Sequence, residues 1–196
     1  EIADAVTAIR DEVIDETVEQ YIPPGSLEEQ WDPEGLTQAL ESEFGVRLDV
    51  AAMVRQDKTL KDEQIAEKAR EAARQAYETK EAEIGSELMR SVEKQIMLRQ
   101  LDTHWKEHLA AMDHLRQGIG LRSYAQKNPK QEYKREAFEM FQALLGRVKH
   151  EVITLLSKIQ IRTENEVERM EAERRERAQQ AMNFVHADME QPGSEP

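Results

Sequence analysis

An all-α fold, in which a small helical subdomain precedes a long antiparallel helical hairpin, is predicted by three features of the sequence. Hydrophobic residues make up 39% of the chain, charged residues 34% and aromatics only 5%, a profile suited to long amphipathic helices with thin cores. Gly and Pro number 8 and 6 among 196 residues, so there are few places to turn. The second half carries two long apolar stripes at helical spacing.

Each element has its own signal. Ile2, Val6, Ile9, Val13 and Val18 keep a three-to-four spacing up to Ile22, and Pro23-Pro24-Gly25 stops that helix because proline cannot continue the backbone ladder. Asp32-Pro33 restarts it, as N-cap and first helical residue. Leu36, Leu40 and Phe44 line this second helix, and Gly45 is placed to end it. Residues 46–54 are too short and mixed to assign. A third helix is expected after Thr59, running to about Ile84, with a small-residue stripe of Ile65, Ala69, Ala72, Ala73 and Ala76. From about Glu87 to Gln117 the stripe is Met89, Val92, Ile96, Leu101, Trp105, Leu109, Met112 and Leu115. Gly118-Ile119-Gly120 interrupts it. Asn128-Pro129 opens a helix of about 30 residues carrying Tyr133, Phe141, Leu144, Leu145, Val148, Val152, Leu155, Leu156 and Ile159. The two stripes read as hairpin arms, each roughly 45 Å long at about 1.5 Å per residue. Thr163-Glu164-Asn165-Glu166 is a capping box. The charged stretch after it has too few apolar positions to pack, and residues 183–196 read as disordered.

Composition also excludes functions. A net charge of −13 and a pI near 4.9 argue against nucleic-acid binding, which needs clustered cations. No apolar run approaches the roughly 18 residues of a membrane span. The opening residues EIADAV contain neither a basic n-region nor an apolar h-region, and no initiator Met, so the sequence reads as a piece of a longer cytosolic chain without a signal peptide. With zero Cys there is no disulfide framework, no thiolate nucleophile and no Cys-type zinc site.

The most tempting chemical motif is His104-Trp105-Lys106-Glu107-His108, a literal H-x-x-E-H. On a helix its histidines lie one turn apart and could share zinc, with Glu107 as general base. No third ligand is singled out, and His108 borders the apolar stripe, so packed or edge histidines are the simpler reading. Lys58-Thr59 lacks the glycines of a phosphate-binding loop, and Gly118-x-Gly120 lacks the third glycine of a dinucleotide fingerprint. No catalytic or cofactor-binding residue is therefore assigned. The turn of the hairpin is different. Between Arg116 and Arg135 stand six cations (Arg116, Arg122, Lys127, Lys130, Lys134, Arg135) and one acid, Glu132. Ile119, Leu121 and Tyr124 lie among them, where a solvent loop is ordinarily polar. A plain solvated turn is one reading. The other is a binding tip, with apolar groups for contact and cations for acidic partners or lipid headgroups.

The stretches YIPPGSLEEQWD (21–32), LRQLDTHWKEHLAAMDHLRQGIGLRSYAQKNPKQEYKREAFEMF (98–141) and LLSKIQIRTENEVE (155–168) resemble the SecA family of preprotein translocase motors. The resemblance covers most of the chain in order. It implies a helical wing over residues 1–84, a helical scaffold with a two-helix finger over 85–162 (tip about 118–129), and a charged, partly disordered linker over 163–196. It further implies that Ile119, Leu121, Arg122, Tyr124, Gln126 and Lys127 face the SecY channel or an unfolded preprotein, with Tyr124 as the tip tyrosine. The same element is expected to regulate the motor's ATP hydrolysis at the cytoplasmic face of the bacterial inner membrane. ATP and Mg would belong to motor domains encoded elsewhere, and the family's zinc-binding tail has no counterpart here. A free-standing helical scaffold or adaptor is the alternative.

Overall fold

Six α-helices make up the described residues, 1–120 and 128–159, of the computed structural model, and no strand occurs among them. α1 (Ile2–Tyr21) ends where the Ile22 N–H donates to the Val18 carbonyl, just before the two prolines. A short 3-10 turn at Glu28–Gln30 leads to α2 (Pro33–Phe44). The Asp32 carboxylate caps α2 by accepting the Gly35 N–H at 2.8 Å. A Cβ on Gly35 would lie 2.3 Å from that carboxylate and 2.8 Å from the Tyr21 ring. Only glycine lets the cap and the end of α1 meet so closely. Gly45, in the left-handed region at φ +66°, terminates α2.

α3 (Val50–Gln56) forms where the pattern alone supports no assignment. Its start is organised from two sides. Asp49 accepts the Ala52 N–H at 2.8 Å, and the Thr37 hydroxyl of α2 accepts the N–H groups of Val50 and Ala51 at 3.1 and 3.3 Å. The first-turn N–H groups of a helix lack intrahelical partners; Thr37 supplies one to Ala51, and Val50 shares its N–H between Thr37 and the Leu48 carbonyl at 3.0 Å. α4 (Asp62–Ile84) buries Ile65, Ala69, Ala73 and Tyr77, a strict fourth-residue row. Ala76, expected on the same stripe, is exposed; Tyr77 takes its place.

These helices share a core with the bases of α5 (Ser86–Gly118) and α6 (Pro129–Lys158). Val13, Ile14, Leu36, Leu40, Val50, Ile65, Met89 and Leu156 are all fully enclosed. At about 1.5–3 kcal/mol for each large apolar side chain removed from water, they supply most of the drive to fold. Residues 1–159 form one unit.

α5 and α6 lie side by side. His104 meets Glu151, Glu107 approaches Arg147, and the His108 ring touches that of Phe141. One series rises in number as the other falls, so the helices run antiparallel along this stretch. The seam is not the expected one. Leu101, Trp105 and Leu109 are 46%, 42% and 51% exposed, while His104 is buried. At about 100° per residue, those three lie roughly 60–140° around the helix from His104. A single neighbour covers only a narrow strip of a helix, and α6 covers the strip centred on His104. On α6, likewise, Leu144 is enclosed, Leu145 only half-buried, and Phe138, Phe141 and Leu155 exposed.

Candidate functional site

The residues singled out at the turn lie where α5 ends and α6 begins. Past Gly118, Ile119 keeps a helical conformation, donates its N–H to the Leu115 carbonyl and is half-buried. Leu121, Arg122, Tyr124, Gln126 and Lys127 lie outside the described residues. On the far side Asn128 caps α6, its side chain accepting the Lys130 N–H at 3.1 Å, with Pro129 in the first turn. Arg116, Lys130 and Lys134 are exposed. Arg135 is held closer to home, paired with Glu132 at 2.6 Å and near Glu139 at 3.8 Å. The cations flanking the turn are thus partly balanced along α6.

The H-x-x-E-H motif sits on α5 at the seam with α6. His104 Nε2 lies 2.7 Å from Glu151 Oε2, and Nδ1 lies 3.2 Å from Glu107 Oε2. Both nitrogens are engaged by carboxylates, so neither lone pair is presented to a metal. Among the described residues no three His, Asp or Glu side chains converge in a way that could hold an ion. His108 instead lies between two rings, tilted against Trp105 at 5.6 Å and edge-on to Phe141 at 6.1 Å.

A second polar cluster, which the sequence pattern does not reveal, joins α1, α4 and α5. Glu93 is completely buried, and the Tyr77 hydroxyl donates to its Oε1 at 2.5 Å. Arg90 Nη2 lies 2.9 Å from Glu93 and 3.0 Å from Glu81, close enough for ion pairing but off the hydrogen-bond direction. The Arg10 guanidinium lies 5.3 Å from the centre of the Tyr77 ring. Burial, reinforced by the bond to Glu93, holds the Tyr77 phenol above its ordinary range. Nearby, Lys80 Nζ donates to the carbonyls of Leu156, at 2.9 Å, and Ser157, capping the end of α6. Burial pulls its ammonium below the usual lysine value. Tyr77 could have been read from the row Ile65, Ala69, Ala73. Nothing in the local sequence marks Glu93 or Arg10.

The match to known proteins is extensive. The family model described as the SecA wing and scaffold domain matches residues 1–160, which take in all six helices. The chain belongs to the SecA family. It is similar to a protein translocase subunit SecA of Nitrosococcus oceani, 54% identical over 187 residues, which is 95% of this chain and 20% of the relative. The SecA of Alcanivorax borkumensis is 49% identical over the full 196 residues, 22% of its own length. The SecA of Cellvibrio japonicus is 50% identical over 189 residues. The chain therefore spans about a fifth of these SecA proteins, over the wing and scaffold.

Proposed function

We propose that this chain is the substrate-handling part of a SecA protein-translocation motor. In this reading, residues 118–129 contact an unfolded preprotein and the SecY channel, and the element regulates ATP hydrolysis by motor domains elsewhere in the parent protein. The observation that carries it is the family match over residues 1–160, together with two long helices, antiparallel where they meet, that flank the basic, partly apolar segment in the chain. Tyr124 would offer sequence-tolerant contacts to a passing polypeptide through its ring and hydroxyl. Arg122 and Lys127 would meet acidic groups of the channel or of anionic lipid headgroups. ATP and Mg would be bound outside this chain, and no cofactor is assigned to it. No described helix is long and apolar enough to cross a membrane. A peripheral position at the cytoplasmic face of the inner membrane is the corresponding proposal.

The test uses the full-length parent protein with a photo-crosslinking residue at position 124 and a preprotein stalled in transit. Crosslinks to the preprotein or to SecY are expected. Tyr124→Ala should slow transport while shifting the unfolding free energy by no more than about half a kcal/mol, the usual scale for a surface change. Normal transport by that variant would refute the contact role, and joint loss of stability and transport would make Tyr124 structural.

A further inference from the structure

We propose that His104 is a titratable pin that locks α5 to α6, and that removal of its proton releases the seam at this point. The argument begins from geometry. A carboxylate only accepts hydrogen bonds, whereas a neutral imidazole offers one N–H and one lone pair. With Glu151 at 2.7 Å on Nε2 and Glu107 at 3.2 Å on Nδ1, a neutral ring would always turn a lone pair toward a carboxylate oxygen. Only the imidazolium satisfies both contacts. His104 is 6% exposed, so water has little room to take over either one.

The charges around the ring support the same state. On α5 the neighbours are Glu107 and His108; on α6 they are Glu151 and Arg147, the latter 3.7 Å from Glu107. Lys149 and His150, next along α6, turn away to pair with Glu12 of α1 and Glu43 of α2. A charged His104 balances the cluster of two acids and one arginine. A neutral one leaves one negative charge in excess and turns a lone pair of the buried ring toward a carboxylate, although Glu107 and Glu151 themselves are partly in water. The hydrogen bond to Glu151 acts first, and that to Glu107 adds to it, to raise the histidine above its ordinary value against the opposing effect of burial.

Packing leaves the pin a large share of the local hold. The large apolar side chains Leu101, Trp105 and Leu109 face away from the seam. A groove of about 250 Å³ remains between the helices, lined by His104, His108, Ala111, Met140 and Leu144 among others. Because the folded-state value lies above the unfolded one, the contribution is complete below about pH 6.5 and disappears as pH rises through the folded value. His104 lies about 21 Å along α5 from Gly118 at about 1.5 Å per residue, so release would free the arms well before their ends. The inference holds whatever residues 118–129 touch.

The chain has no cysteine, so cysteines placed at the exposed positions Ala110 and Gln142 can carry spin labels on either side of the seam. Pulsed electron spin resonance should give one narrow distance at pH 6. Above the His104 transition it should give a longer, broader distribution with unchanged helical circular dichroism. Glu151→Gln should move the transition down by about one pH unit or more, the usual effect of losing a close opposite charge. An unchanged distance across the titration, a transition that Glu151→Gln leaves in place, or unfolding of the whole chain over the same range would overturn the proposal. Nitrogen NMR of the imidazoles gives an independent reading that needs no variant. Near pH 6.5 His104 should be more fully protonated on both ring nitrogens than an ordinary histidine, and titration at or below the value of an ordinary histidine would also overturn it.

Discussion

α2 and α5 show two ways of using an amphipathic helix. α2 has 12 residues and buries four of them, Leu36, Ala39, Leu40 and Phe44. α5 has 33 and buries three, Met89, Glu93 and His104, two of which are polar. The difference lies in the number of neighbours. α2 touches α1, α3 and α6, so much of its circumference is covered. Among the described residues, α5 beyond its base packs against α6, and Leu98, Leu101, Trp105 and Leu109 are 42–57% exposed. Where several helices converge, oil-like contact dominates. Where two helices run alone, ion pairs along a narrow strip take a larger part.

The largest test of this comparison is at the joint between the two regions. Glu93→Ala would leave the buried Tyr77 hydroxyl without its acceptor and Arg90 with Glu81 as its remaining carboxylate. Breaking a buried pair by removing one member costs about 3–5 kcal/mol. Urea unfolding should show a loss on that scale, and a loss under about 1 kcal/mol would mean the cluster is dispensable. Next comes the α1–α4 core. Leu40→Ala removes a side chain with no solvent exposure, and such cavities cost about 2–5 kcal/mol. The smallest effect is expected on the arm. Leu109→Ala, despite removing the same side chain, should change stability by no more than about half a kcal/mol, because Leu109 is half in water already. Equal losses at Leu40 and Leu109 would erase the distinction between core and arm.

Of the candidate tip, Ile119 lies within the described residues, half-buried at the end of α5. The other five lie outside those residues; local composition singled out Leu121, Arg122, Tyr124 and Lys127, and the contact role of all five rests on the family resemblance, because an irregular turn has no periodicity to read. His104 shows the opposite case. Its motif was conspicuous in the sequence, and the structure sets both of its ring nitrogens against carboxylates. The residue that decides its role, Glu151, lies 47 positions away on another helix.

The sequence by itself determined that this protein is helical and where most helices start and stop. Those outcomes depend on local physics: the 3.6-residue recurrence of apolar side chains, the cap at Asp32, the stop at Gly45 and the fixed backbone of Pro33 and Pro129. Tertiary structure decided which strip of α5 is buried, that α3 forms beside Thr37, and that Arg10, Tyr77 and Glu93 belong to one cluster. Burial and charge pairing are properties of a place shared by distant segments. A stripe says which faces can be buried; only the number and position of neighbours says which one is.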